Sequence, residues 1–269
     1  MIPKIIHYSW ISTDPKPELV QCCMKTWKEV LPDYEVVLWD AKKIQEEIQC
    51  EFVDEAISVR KWAFAADVVR LHAVYKYGGI WLDSDVEVKK SFDDLLENRF
   101  FIGQEAATFF AFHTAFKETH LTSHCFGAEP NHPFLKLCLD YYQGRHFITG
   151  TNENLPQHMR YDMTLLPLIQ SQLIRQFGYN AQACFYNKTQ CVQEGICVYP
   201  SFYFDAPKSR SMKDVYCIHQ CMESWGKGGV PRPRTYGTWK QVVYWGVMDV
   251  VNFLPRLFGK ELCWCFYKW

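Results

Sequence analysis

No uninterrupted run of about 20 apolar residues occurs in the sequence, so no segment reads as a membrane-spanning helix. The opening MIPKIIHYSW lacks a charged segment followed by a long apolar one. No signal peptide is therefore expected, and the chain is expected on the cytosolic side. An excess of one charge is also missing: 29 Lys and Arg stand against 30 Asp and Glu, a formal net charge of -1. That balance argues against nucleic acid as a partner, because nothing attracts a polyanion in bulk. An anionic ligand would have to be met locally, by a metal ion or a few placed cations. Internal repeats, low-complexity linkers and a Cys-x-x-Cys pair are absent too. The twelve cysteines are scattered, and in a reducing compartment they read as buried free thiols. In CIHQC, Cys217, His219 and Cys221 would share one face of a strand, but tetrahedral zinc needs a fourth ligand that the sequence does not offer.

What remains is an ordinary globular composition. The 269 residues, 48% hydrophobic and 22% charged, fit one large domain or one domain with a small appendage. Residues 4–10 (KIIHYSW) and 34–39 (YEVVLW) read as short strands, and PELVQCCMKTWKEVLP between them runs at helical spacing up to Pro32. That unit implies parallel strands. A helix apolar on most sides is expected from about Asp54 to Tyr77, ended at Gly78-Gly79 by a left-handed glycine cap. Ile80-Trp81-Leu82 then forms a strand. NRFFIGQE, GICVYPSFYF and VYCIHQ read as further strands, PFLKLCLDYY and LLPLIQSQLIRQF as helices. The expected organisation is one α/β domain over residues 1–236 and a C-terminal extension over 237–269.

Asp83 and Asp85 follow the strand at its carboxyl end, where α/β sheets bind ligands. Their i, i+2 spacing in an extended chain would turn both to one side. Two hard carboxylates so placed suit Mg²⁺ or Mn²⁺ shared with phosphate oxygens. Asp67 and Arg70, three apart on the preceding helix, share a face. They are either a buried pair that satisfies itself or contacts to ligand hydroxyls and phosphate; closeness to the two aspartates favours the second.

The string AADVVRLHAVYKYGGIWLDSDV resembles the signature of glycosyltransferase family 32, the DXD sugar transferases that include yeast mannosyltransferases, capsule and lipopolysaccharide transferases and clostridial glucosylating toxins. IPKIIHYSW and a late His219…Ser224-Trp225 extend the likeness. The resemblance implies a GT-A-like, Rossmann-type nucleotide-sugar fold with a mixed central sheet. It implies that Asp83 and Asp85, with His219, hold Mn²⁺ or Mg²⁺ on the diphosphate of a sugar nucleotide, Asp85 as direct ligand and Asp83 nearer the ribose or sugar. Asp67 and Arg70 would hold sugar hydroxyls, and Trp10 would stack on the base. Tyr8, Trp81 and Ser84 would line the donor, with Ser224 and Trp225 covering the leaving group. Trp81 stands where relatives often carry Tyr, so an aromatic ring is kept and a hydroxyl lost. The implied reaction is metal-dependent hexosyl transfer with retention, from UDP-galactose or another UDP-hexose, with GDP-mannose open, to a lipid-linked or oligosaccharide acceptor in cell-surface polysaccharide synthesis. Glu105, Asp162 and TGTNENLP (149–156) are candidate sugar or acceptor contacts.

The tail TWKQVVYWGVMDVVNFLPRLFGKELCWCFYKW interleaves aromatics with Lys and Arg. It reads as an amphipathic helix lying in a membrane surface, the cytoplasmic face of the inner membrane, or else packed on the domain or on a second subunit. Two rival functions remain. IWLDSDV also fits the nucleophile loop of haloacid-dehalogenase-like phosphatases, with Asp83 phosphorylated. A non-catalytic, membrane-associated binding protein is the other.

Overall fold

The computed structural model describes residues 1–104, 121–180, 188–204 and 212–220. The chain opens with β1 (Ile5–Ser9), α1 (Glu18–Val30) and β2 (Glu35–Trp39), then α2 (Ala41–Glu47), α3 (Glu51–Ser58) and α4 (Trp62–Tyr77). β3 (Gly79–Leu82), β4 (Val86–Val88), β5 (Phe100–Gln104) and β6 (Leu121–Ala128) follow. The remainder comprises α5 (Pro133–Tyr141), α6 (Gln157–Arg160), α7 (Leu166–Leu173), β7 (Gln190–Cys191), β8 (Ile196–Tyr199) and β9 (Cys217–His219).

Seven strands form one sheet in the order β2-β1-β3-β6-β5-β8-β7, and β4 pairs with β9 in a separate ribbon. β1 runs parallel to β2 and β3, whereas β6 is antiparallel to both β3 and β5. The sheet is thus mixed, the architecture the resemblance implied. Its two faces are sealed by separate cores. One gathers Phe52, Phe64, Val68 and Leu71 of α3 and α4 against Trp81 and Phe126; the other gathers Trp27 of α1 against Ile6, Ile80, Leu82 and Phe101. β3 is buried throughout, and its alternation sends Trp81 to the α4 side and its neighbours to the other.

Three local expectations are corrected. The single helix from Asp54 to Tyr77 is two helices, α3 and α4. Arg60 takes a left-handed φ of 58°, and the Lys61 and Arg60 amides close back onto the carbonyls of Ala56 and Ile57. This is the glycine-type helix stop built on an arginine, so no glycine marked it. Gly78 does end α4, but at φ 67° and ψ -170°, an extended mirror-image conformation rather than the left-handed helical one. A Cβ at Gly79 would lie 2.6 Å from the Ile5 carbonyl oxygen, which is why β3 can pack so closely on β1 only with glycine there. Finally, GICVYPSFYF is a strand only to Tyr199, because Pro200 turns the chain into a short 3-10 turn at Ser201–Tyr203.

Of the described cysteines, Cys23, Cys125, Cys138, Cys197 and Cys217 are buried free thiols, while Cys22 and Cys191 are exposed. No described helix is long and apolar enough to cross a membrane. Residues 221–269, with the expected extension, lie outside the described residues, as does Glu105.

Candidate active site at the end of β3

β3 delivers Asp83 to the carboxyl edge of the sheet. Trp81 and Asp83, two apart, face α4 together, so the Asp83 carboxylate meets Arg70 there. Arg70 Nη1 is 3.2 Å from Asp83 Oδ1 and donates to the Ser123 carbonyl at 2.7 Å. Its Nη2 lies 3.2 Å from Asp67 Oδ1. The guanidinium therefore joins two carboxylates and a β6 carbonyl, with its Cζ 5.4 Å from the centre of the Trp81 ring. Trp81 Nε1 donates to Asp83 Oδ1 at 2.7 Å. Trp81 thus brings a polar donor to the site as well as a ring.

Asp67 is buried, and burial pushes its carboxyl up to about 7. The Arg70 charge pulls it down, the Asp83 carboxylate pushes it further up, and the Leu166 amide at the start of α7 donates to it. Burial prevails. Asp67 and Arg70 form a buried ion pair, and through Arg70 the pair reaches Asp83.

Asp85 is placed by a different device from the one expected. The chain does not run extended through Ser84; it turns, with the Val86 amide donating to the Asp83 carbonyl at 3.0 Å. The turn, not strand alternation, brings Asp85 back beside Asp83. β9 then pairs antiparallel with β4, setting His219 opposite Val86, and the Gln220 amide donates to the Asp85 carbonyl at 3.0 Å. This register carries His219 Nε2 to 3.3 Å from Asp85 Oδ1. Asp83, Asp85 and His219 can each offer one ligand atom, all within 4.8 Å of one another. Two carboxylate oxygens and one imidazole nitrogen suit a divalent cation such as Mn²⁺. Cys217 instead turns its Sγ to the Phe204 carbonyl at 3.6 Å, so the described part of CIHQC does not gather around a zinc.

Trp10 is half-buried just past β1, its Nε1 donating to the Asp14 carbonyl at 2.9 Å and Lys16 Nζ 5.4 Å from its ring. Tyr8 is buried edge-on to Trp27 at 5.4 Å, with its hydroxyl pKa raised by burial. Ser84 is half-exposed in the turn. Asp162 lies 3.8 Å from Arg145 and caps its own loop at the Thr164 amide, while 149–156 is surface loop. Ser224 and Trp225 lie outside the described residues. A cavity of about 600 Å³ opens elsewhere, between α4 and α5 beside His72, Tyr75 and Tyr142, and none of these site residues lines it.

Residues 1–187 match the family described as capsular polysaccharide synthesis protein. The chain belongs to that family. Among curated proteins, this member of the capsular polysaccharide synthesis family is 41% identical over 98 residues to inositol phosphoceramide mannosyltransferase 3 of Schizosaccharomyces pombe, covering 35% of this chain and 27% of the relative. It is 25% identical over 212 residues to an uncharacterized glycosyltransferase of Acanthamoeba polyphaga mimivirus, covering 71% of this chain and 80% of the relative. The chain spans between about a quarter and under a half of the fungal relatives' length. Among solved structures, the PaToxG glycosyltransferase aligns at a TM-score of 0.44 and 20% identity, over 65% of this chain and 69% of that one. The family match and the names of the curated relatives, mannosyltransferases and a glycosyltransferase, bear out the resemblance drawn from the sequence.

Sequence reasoning missed β6 and what it contributes, the Ser123 carbonyl on Arg70 and His124 behind Asp83. It also missed the Leu166 amide on Asp67. No linear signal marks these contacts, because main-chain groups carry most of them.

Proposed function

We propose that this chain is a metal-dependent glycosyltransferase that moves a hexose from a nucleotide-sugar to a glycan or lipid-linked glycan, with retention of anomeric configuration. The observation carrying this reading is the convergence of Asp83, Asp85 and His219 at the carboxyl end of β3, next to a fixed Arg70. A bound Mn²⁺ or Mg²⁺ would neutralise the donor diphosphate and the charge that grows on it as the anomeric bond breaks. Asp83, Asp85 and His219 would hold that ion, Asp85 as the direct ligand and Asp83 nearer the sugar side. Arg70, held on three sides, is pre-oriented to donate hydrogen bonds with no reorganisation. Asp67, poised near 7, accepts from a sugar hydroxyl when ionised. Trp10 would meet the base, with Tyr8 and Trp81 as the packed wall beneath and Ser84, Ser224 and Trp225 closing over the diphosphate. Retention by same-face attack fits a site whose acidic groups are all engaged with Arg70 or the metal position.

The donor is a UDP-hexose, UDP-galactose first. GDP-mannose is the second reading, favoured by the mannosyltransferase names of the fungal relatives. The interleaved aromatics and cations of residues 237–269 support a peripheral role at the cytoplasmic face of the inner membrane. Asp83 as a phosphorylated nucleophile has less support, since its carboxylate is engaged by both Trp81 and Arg70. A thermal-shift panel of sugar nucleotides with and without Mn²⁺ tests the proposal. One donor should stabilise the chain only with metal, by mass action, and the same donor should be slowly hydrolysed. Stabilisation by none of them, or phosphate trapped on Asp83, would end it.

A further inference from the structure

His219 packs against a second imidazole. The His124 ring on β6 lies 4.4 Å from that of His219, centroid to centroid, with the planes 20° apart. His124 is itself 7% exposed, and both of its nitrogens are used. Nε2 is 3.0 Å from the Phe204 carbonyl, and Nδ1 meets the Thr122 hydroxyl. A carbonyl can only accept, so Nε2 carries the proton and Nδ1 takes the hydroxyl's. The ring is thereby held in one tautomer and one plane. The same residue's main-chain carbonyl accepts the Asp83 amide at 2.9 Å.

One residue thus supports both banks of the cleft, Asp83 through its backbone and His219 through its ring face. The plain alternative is a core histidine that satisfies itself. That accounts for the two hydrogen bonds but not for a stacked face turned to the one imidazole of the Asp83–Asp85–His219 group. We propose that His124 is a positioning residue for that centre, holding the His219 ring so that Nε2 faces the two carboxylates. This rests on the reading that Asp83, Asp85 and His219 bind a divalent cation. Groups that orient a metal-bound histidine are worth 10–100-fold in metal affinity, and a stacked, doubly hydrogen-bonded ring is a rigid support.

The test uses the full chain and Mn²⁺ alone, read by the magnetic resonance of free Mn²⁺ and by nitrogen modulation in the pulsed spectrum of the bound ion. Wild type should bind one Mn²⁺ with imidazole nitrogen coupling, and His219→Ala should lose that coupling. His124→Ala should bind about 10–100-fold more weakly with the coupling diminished. His124→Phe keeps a ring for the stack and should keep the coupling while losing less affinity. If His124→Ala does not fold, His124→Leu, which fills the space without a ring, takes its place with the same expected loss. Wild-type affinity and full coupling in both variants would overturn the role of His124, as would coupling lost in a folded His124→Phe. Wild type that binds no Mn²⁺ would instead overturn the metal reading beneath it.

Discussion

Replacing Arg70 with methionine removes the positive charge that faces both Asp67 and Asp83 while leaving a stem of similar length. Arg70 lies 3.2 Å from each carboxylate and its side chain is 8% exposed, so the interaction is poorly screened by water. Removing one partner of a buried pair costs about 3–5 kcal/mol, because the remaining charge is stranded. Here one of the two stranded groups has a way out. Asp67 already sits near 7 with Arg70 present, and without it the carboxyl rises further, so it takes up a proton at neutral pH and above. The penalty is therefore expected to grow with pH, clearly smaller at pH 6, where the carboxyl is largely neutral with or without Arg70, than at pH 8. Adding Asp67→Asn removes the stranded charge outright and should recover more than about 1 kcal/mol at pH 8. Urea unfolding of the metal-free protein at both values, for wild type, Arg70→Met and the double variant, measures all three. A loss below about 1 kcal/mol at pH 8, the range of an exposed pair, would refute the reasoning, as would a loss independent of pH.

Two further outcomes follow from other contacts. Burial lowers the His7 imidazole from 6.5 to about 4, and its neutral ring accepts from Trp39 Nε1 at 3.2 Å while meeting the Gly78 carbonyl at 2.9 Å. The unfolded chain takes a proton that the folded one refuses, so this stability is present above about pH 6.5 and is lost on acidification toward 4. The loss is about 1.4 kcal/mol per pH unit at most; unfolding of His7→Gln should show a flatter acid limb, and identical limbs would count against it. Trp81→Phe keeps the ring but deletes the donor to Asp83, a charge-assisted bond of about 1.5–3 kcal/mol. Calorimetry of Mn²⁺ with UDP should show binding weakened about tenfold or more, and unchanged binding would contradict that role.

The parts legible in the sequence were those whose cause is local. β1, α1 and β2 carry periodicity and a proline stop, and IWLDSDV ends a strand on acidic residues because a buried strand must surface somewhere. What stayed hidden depended on register and main chain. β6 (LTSHCFGA) is buried along its whole length, so it shows no polar alternation, and its small polar residues do not look like a strand. The turn at Ser84-Asp85 could not be told from an extended continuation, yet it decides where Asp85 points. His219 was readable as a ligand only through resemblance. Its meeting with Asp85 is set by the pairing of β4 with β9, more than a hundred residues apart.

The most direct measurement is Mn²⁺ binding, with and without a nucleoside diphosphate, by wild type and by Asp85→Asn. The account predicts one Mn²⁺ per chain, bound more tightly when the diphosphate is present, and loss of both the ion and that coupling in a variant that remains folded. Equal Mn²⁺ and diphosphate binding by the two proteins would contradict it.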